Sequence, residues 1–226
     1  MGTRNSIMLD PTRKVLDRLH GAARSDRIRF LSFIPRLVSG FVRRKTFSEI
    51  MTPESMKDCY ISISREQGQF LYITVRALQA KNAVEFGTSF GISTIYLAAA
   101  LRDNGEGVVI GTEIEPSKCP QAQLNLREAG LEAYSEIRPG DALETLKKVP
   151  EPVDFVLLDG WKDLYLPLLK LLKPRLRKGA VILADNIFTF RKGLRPYVEY
   201  VQSGENGFTS TTLAMGEGFE YSIYLG

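Results

Sequence analysis

The chain has 226 residues, 44% hydrophobic and 25% charged. This suits one α/β domain with a sizeable core plus an extra segment and is short for two full domains. No apolar run is long enough to span a bilayer, and the stretch from Phe30 to Val42, broken by Pro35 and Arg36, starts too late and lacks the small-residue cleavage site of a signal peptide. Cys59 and Cys119 lack CxxC spacing, which argues for a reducing, cytoplasmic setting, and a single histidine, His20, leaves little for a Ser-His-Asp triad or a histidine-rich zinc site.

The net charge of +4 is uneven, because residues 1–45 hold eleven Lys/Arg against three Asp/Glu. Residues 1–50 therefore read as a basic helical leader or cap, and residues 51–226 as the main domain. Pro11 can open a helix on which Val15, Leu16, Leu19, Ala22 and Ala23 recur at helical spacing. Residues 27–44 mix arginines with Ile28, Phe30, Leu31, Phe33, Ile34, Leu37, Val38, Phe41 and Val42. That pattern admits membrane-surface contact, nucleic-acid contact, or the preferred reading, a cap packed on the main domain or on a second subunit. Thr52-Pro53-Glu54-Ser55 resembles a helix start, and a helix over 65–79 should present Phe70, Ile73, Thr74, Ala77 and Leu78 on one face.

Strands and helices then alternate. Strands are expected at 83–86, 108–113, 134–138, 154–158 and 180–184. Helices are expected at 93–101, 117–129, 142–148, 164–176 (broken late by Pro174) and 194–202. Residues 208–213 and 219–225 flank Gly216-Glu217-Gly218 as a closing hairpin. Apolar strands alternating with helices imply a mostly parallel sheet covered on both faces, with ligands at the carboxyl ends of the strands.

The residues at those ends carry the chemistry. Glu85-Phe86-Gly87-Thr88-Ser89-Phe90-Gly91-Ile92-Ser93 follows the first strand. Its Gly-x-x-x-Gly spacing is neither a pyrophosphate cradle nor a P-loop, and it suits a carboxylate such as the methionine end of S-adenosylmethionine, or a plain turn. Glu113 ends the second strand, where an acidic group can accept from both hydroxyls of a ribose, while Glu115 should be solvated. Asp141 can face an adenine, cap the helix that follows, or do both. Asp159 ends the strand at 154–158, and Asp185-Asn186 the strand at 180–184. If those strands are neighbours, three hard oxygens converge, a set that suits magnesium or a similar cation. The alternative is a helix cap and a turn.

At Leu158-Asp159-Gly160-Trp161-Lys162-Asp163-Leu164-Tyr165-Leu166-Pro167, and at Arg177-Lys178-Gly179 followed by Leu183-Ala184-Asp185-Asn186, the sequence resembles the catechol O-methyltransferases and their bacterial and caffeoyl-CoA relatives, from about Gln67 onward. The resemblance implies a Rossmann-like methyltransferase fold with a C-terminal antiparallel hairpin and a helical N-terminal extension. It implies transfer of a methyl group from S-adenosylmethionine to a hydroxyl of a small acceptor, with bound Mg2+ and an assembly into homodimers. Asp159, Asp185 and Asn186 would bind the metal, and Lys162 would be the general base rather than an ordinary surface lysine. Glu85, Gly87, Ser89 and Ser93 would surround the methionine part, Glu113 would hold the ribose, and Trp161 would lie near the adenine. Ile114, Asp141, Ala142 and Asp159 complete the donor set.

Three departures matter, the first of which removes one adenine contact. Gly160 stands where the animal enzyme has a histidine, and Gln67 where it has a lysine. No acidic residue near Thr211–Leu213 matches the one that steadies the catechol hydroxyl. An NAD dehydrogenase would need a phosphate-binding glycine pattern that is absent. A nucleic-acid methyltransferase fits poorly with an acidic main domain lacking Asn/Asp-Pro-Pro-Tyr. A donor-binding protein without catalysis, and a methyltransferase of another acceptor class without metal, remain the alternatives.

Overall fold

The computed structural model describes residues 5–31 and 63–226. The expected helix start at Thr52, the part of the 27–44 pattern beyond residue 31, and Cys59 lie outside those residues. Seven strands form one sheet: β1 (Asn82–Phe86), β2 (Val108–Glu113), β3 (Ser135–Pro139), β4 (Val153–Leu158), β5 (Leu176–Ala184), β6 (Phe208–Leu213) and β7 (Phe219–Tyr224), in the order β3-β2-β1-β4-β5-β7-β6. β1 to β5 run parallel, and β7 pairs antiparallel with both β5 and β6. The α/β architecture and its closing hairpin are those expected from the sequence.

β4 explains why the apolar strands read as continuous runs. All six of its residues are buried. Phe155 and Leu157 join the core on one face of the sheet, while Val156 and Leu158 join the core on the other. The first core is covered by α1 (Thr12–Leu31), α2 (Arg65–Ala77), α3 (Ile92–Asn104) and α4 (Lys118–Glu128), and the second by α5 (Ala142–Thr145), α6 (Tyr165–Leu172) and α7 (Arg191–Gln202). Burial on both faces leaves no room for polar alternation. None of the helices among the described residues is long and apolar enough to cross a membrane.

The described part of the leader belongs to the first core. Val15, Leu16 and Leu19 of α1 are buried there. Thr12 Oγ1 donates to the Ala129 carbonyl at 3.0 Å, and Arg65 pairs with Asp17 at 2.7 Å. His20 is buried, with Nε2 3.1 Å from the Tyr96 hydroxyl. Burial, then the Arg65 and Arg24 charges, lower its pKa to about 4.

Three local expectations need correction. α2 buries Gln67, Gly68, Leu71, Tyr72, Thr74 and Val75, and Ile73 is 61% exposed, so its inward stripe is not the one centred on Phe70 and Ile73. Gly68 sets the rotation, because the Tyr96 ring occupies the space that a side chain there would need. The helix expected over 164–176 is shorter: α6 ends at Leu172, a 3-10 turn follows at Lys173–Arg175, and β5 starts at Leu176 instead of residue 180. Leu176 pairs with Val153, and a bulge separates that pair from the regular register that resumes at Phe155↔Val181. The helix after Asp141 stops at Thr145 rather than near Lys148.

Candidate functional site

Two ladder bonds extend the parallel sheet past its strand ends. Asp159 N–H donates to the Phe86 carbonyl at 2.9 Å, and Asp185 N–H donates to the Leu158 carbonyl at 3.0 Å. The residues after β1, β4 and β5 therefore stand side by side where the winding direction reverses, the usual position of a ligand crevice. Gly87 shows how closely they approach. With φ +100°, a Cβ built on it would lie 2.6 Å from the Asp159 carbonyl oxygen. Ser89 (φ +50°) and Gly91 (φ +84°) complete the turn into α3.

Two carboxylates brace this turn. Glu113 accepts the Ser89 N–H at 2.7 Å on one oxygen and the Glu115 N–H at 2.9 Å on the other. Glu85 is fully buried. Its Oε2 accepts the Thr88 hydroxyl at 3.0 Å and the Thr94 hydroxyl, whereas its Oε1 is buried without a hydrogen-bond partner. Burial pushes the Glu85 pKa up, against the nearby Ser93, Thr94 and Thr88 hydroxyls. An unpartnered buried carboxylate oxygen is costly by itself and suits a ligand ammonium.

The remaining anticipated donor residues are less closely joined. Asp141 Oδ1 accepts the Leu143 N–H at 2.9 Å and so caps α5, and the residue is exposed. Ala142 is buried, Ile114 is 43% exposed, and Trp161 packs half-buried against the second core. Gly160 lies against the Phe86 ring, with a built Cβ 2.6 Å from Cε1, so a side chain here requires that ring to move. Glu115 is half-buried rather than solvated, and its Oε1 accepts the Ser117 N–H at 3.2 Å.

Asp159, Lys162, Asp185 and Asn186 form one cluster. Lys162 Nζ donates to Asn186 Oδ1 at 2.6 Å and to the Tyr165 hydroxyl at 2.8 Å, and lies 3.7 Å from Asp159 Oδ1. It also faces the Tyr165 and Phe190 rings, at 5.0 and 5.6 Å from their centroids. Asn186 has φ +68°, a left-handed conformation that Asn tolerates better than most residues. Burial, followed by the Asp159 charge, pushes the Asp185 pKa up to about 7, and burial pushes that of Asp159 up to about 6. Burial lowers the Lys162 pKa, against the attraction of Asp159 and Asp185.

Two carboxylates and one ammonium leave this buried cluster one positive charge short, and its other ligand atom is an amide oxygen. A hard divalent cation fits that donor set. Among the described residues no group of three or more His, Cys, Asp or Glu is placed to hold a metal, so the set has only two charged ligands. Spacing along the chain gives no sign of the contacts of Phe190 with Lys162 or of Gln67 with Asp185, and little of that of Tyr165 with Lys162. Tyr165, three residues after Lys162 at the start of a helix, was the one local signal.

A family model described as a methyltransferase domain matches residues 84–187. The chain is 37% identical over 131 residues to a catechol O-methyltransferase of Niastella koreensis, covering 56% of this chain and 58% of that protein. It thus spans little more than half the length of that relative. It is 30% identical over 184 residues to the catechol O-methyltransferase of Sus scrofa, covering 75% of this chain and 96% of that protein. The O-methyltransferase TomG of Streptomyces achromogenes, solved in complex with SAM and involved in tomaymycin synthesis, superposes with a TM-score of 0.69 at 26% identity, covering 92% of this chain and 89% of that one.

Proposed function

This chain belongs to the class I S-adenosylmethionine-dependent O-methyltransferases, and we propose that it moves a methyl group from S-adenosylmethionine to a hydroxyl of a small, catechol-like acceptor with a hard divalent cation, such as magnesium, bound. The approach of Gly87 to the Asp159 carbonyl carries this reading. It sets the glycine turn beside the acidic cluster, which supports a reading in which a sulfonium methyl on one side and a hydroxyl on the other would be brought into line.

On the donor side, the free Oε1 of Glu85 suits the methionine ammonium, and the turn from Gly87 to Ser93 suits its carboxylate. Glu113 keeps lone pairs for ribose hydroxyls beyond the two backbone N–H groups it accepts. Ile114, Asp141, Ala142 and Trp161 would flank the adenine. On the acceptor side, Asp159, Asp185 and Asn186 would hold the cation. Its positive charge favours the ionised form of a hydroxyl that is mostly protonated at neutral pH. Lys162 would take the hydroxyl proton at Nζ. Its lowered pKa suits it to that task, and the Tyr165 hydroxyl and Phe190 ring hold it in place.

Methyl transfer to matched dihydroxy and monohydroxy aromatics, with magnesium or with a chelator, tests the proposal. The expected result is transfer confined to the vicinal dihydroxy compounds and lost on chelation. Chelator-resistant transfer would refute the role of the cation. Failure to bind S-adenosylhomocysteine would refute the donor assignment.

A further inference from the structure

We propose that Gln67 is a positioning residue whose amide fixes the Asp185 carboxylate so that its second oxygen is presented to a divalent cation. The inference rests on reading Asp159, Asp185 and Asn186 as a cation site. The Asp185 main chain is already held on both sides, its N–H by the Leu158 carbonyl at 3.0 Å and its carbonyl by the Tyr165 hydroxyl at 3.3 Å. The freedom that remains is rotation of the side chain. Gln67 Nε2 restrains it by donating to Asp185 Oδ1 at 3.1 Å in a buried contact.

The Gln67 amide can point only one way. Its Oε1 accepts the Ser64 N–H at 2.8 Å, so a flipped amide would lose that bond and turn an oxygen towards the carboxylate. The β6–β7 turn closes over it, with a Cβ built on Gly216 (φ +56°) lying 2.7 Å from Gln67 Cδ. Ser64 and Gln67 also form the capping box that starts α2. Glu or Gln serves equally at that position of a capping box. The helix start therefore does not account for the choice of glutamine, whereas the contact with Asp185 needs a donor. An uncharged donor also orients Asp185 without neutralising it, leaving the negative charge available to a cation, as outer hydrogen bonds do around metal ligands.

The test is manganese(II) titration followed by electron paramagnetic resonance of the free ion, on wild type, Gln67→Met, Ser64→Ala and Asp185→Asn. Calorimetric binding of S-adenosylhomocysteine checks the fold of each. Gln67→Met is expected to weaken manganese binding about 10- to 100-fold with binding of the donor product unchanged. Ser64→Ala removes the other half of the capping box and should leave manganese affinity at the wild-type value. Unchanged affinity in Gln67→Met, or an equal loss in Ser64→Ala, would overturn the inference, the latter by tracing the effect to the helix start. If wild type binds no manganese, or Asp185→Asn binds it as tightly as wild type, the cation reading itself fails and takes this inference with it.

Discussion

Lys162 and Asn186 face each other across the strand ends, with the ammonium nitrogen 2.6 Å from the amide oxygen. The contact orients the Asn186 amide and places the one ammonium of the cluster among its oxygens. Lys162→Met and Lys162→Arg separate charge from proton acceptance, because arginine keeps the charge and does not give up its proton in proteins. Both variants should lose about 10²- to 10⁴-fold in kcat, the usual range for a general base. S-adenosylhomocysteine affinity should hold, since the polar partners of Lys162 are Asn186, Tyr165 and Asp159 on the acceptor side. An arginine variant with near-wild-type kcat would remove Lys162 from that role.

The Asp159–Asp185 pair makes the metal-free protein lose stability as pH rises. Both folded-state pKa values lie above the ordinary 3.8, at about 6 and about 7. The unfolded chain therefore releases these protons first, and the stability present below pH 3.8 is lost as pH rises through the two folded values. In chelator, at mildly alkaline pH, Asp185→Asn should be more stable than wild type by roughly 1–3 kcal/mol, the trade of function against stability at a charged site. Magnesium should close or reverse that gap, adding about 2.7 kcal/mol to wild type at a hundredfold excess over its Kd and nothing to the variant. Denaturant melts with chelator and with magnesium measure both. Equal magnesium stabilisation of both proteins would contradict the assignment.

Glu85 presents the same trade at the donor end. Its Oε1 is buried without a partner, so the donor-free protein carries a carboxylate that it does not fully satisfy. Glu85→Gln removes the charge while keeping the shape. The donor-free protein is expected to gain roughly 1 kcal/mol or more in stability, with S-adenosylhomocysteine affinity falling about tenfold or more as a charge-assisted bond is lost. Calorimetry and thermal unfolding on the same samples would show it. Affinity equal to wild type would place the donor ammonium elsewhere.

What was legible in the sequence followed from short range. Buried strands bounded by glycine and acidic residues marked β2 and β4 closely, and Gly87, Asp159 and Asp185 were identifiable because each directly follows the apolar end of a strand. The rotation of α2 was not legible. Leu71 and Val75 are as apolar as Phe70 and Ile73, and the choice between those stripes is made by Gly68 against Tyr96, a contact between helices. The partners inside the site were hidden for the same reason. Gln67 and Asp185 are 118 residues apart, and only the sheet order brings them together.

His20 provides the opposite pH signature to the acidic pair. It is 6% exposed, its Nε2 lies 3.1 Å from the Tyr96 hydroxyl, and its pKa is lowered from 6.5 to about 4 by burial and by the Arg65 and Arg24 charges. The unfolded chain takes up a proton near pH 6.5 while the folded chain resists until about pH 4. Stability from this group is thus complete above pH 6.5, falls across that window as pH drops, and is flat below it. His20→Gln retains hydrogen bonding to Tyr96 and does not titrate there. The wild-type stability minus that of the variant should rise by on the order of 1–2 kcal/mol across the window, solvent screening reducing the full shift. Taking the difference cancels the contribution of Asp159 and Asp185, which both proteins share. A difference that stays level across the window would mean that His20 is already protonated in the folded protein, and that α1 packs against α3 around a charged imidazole.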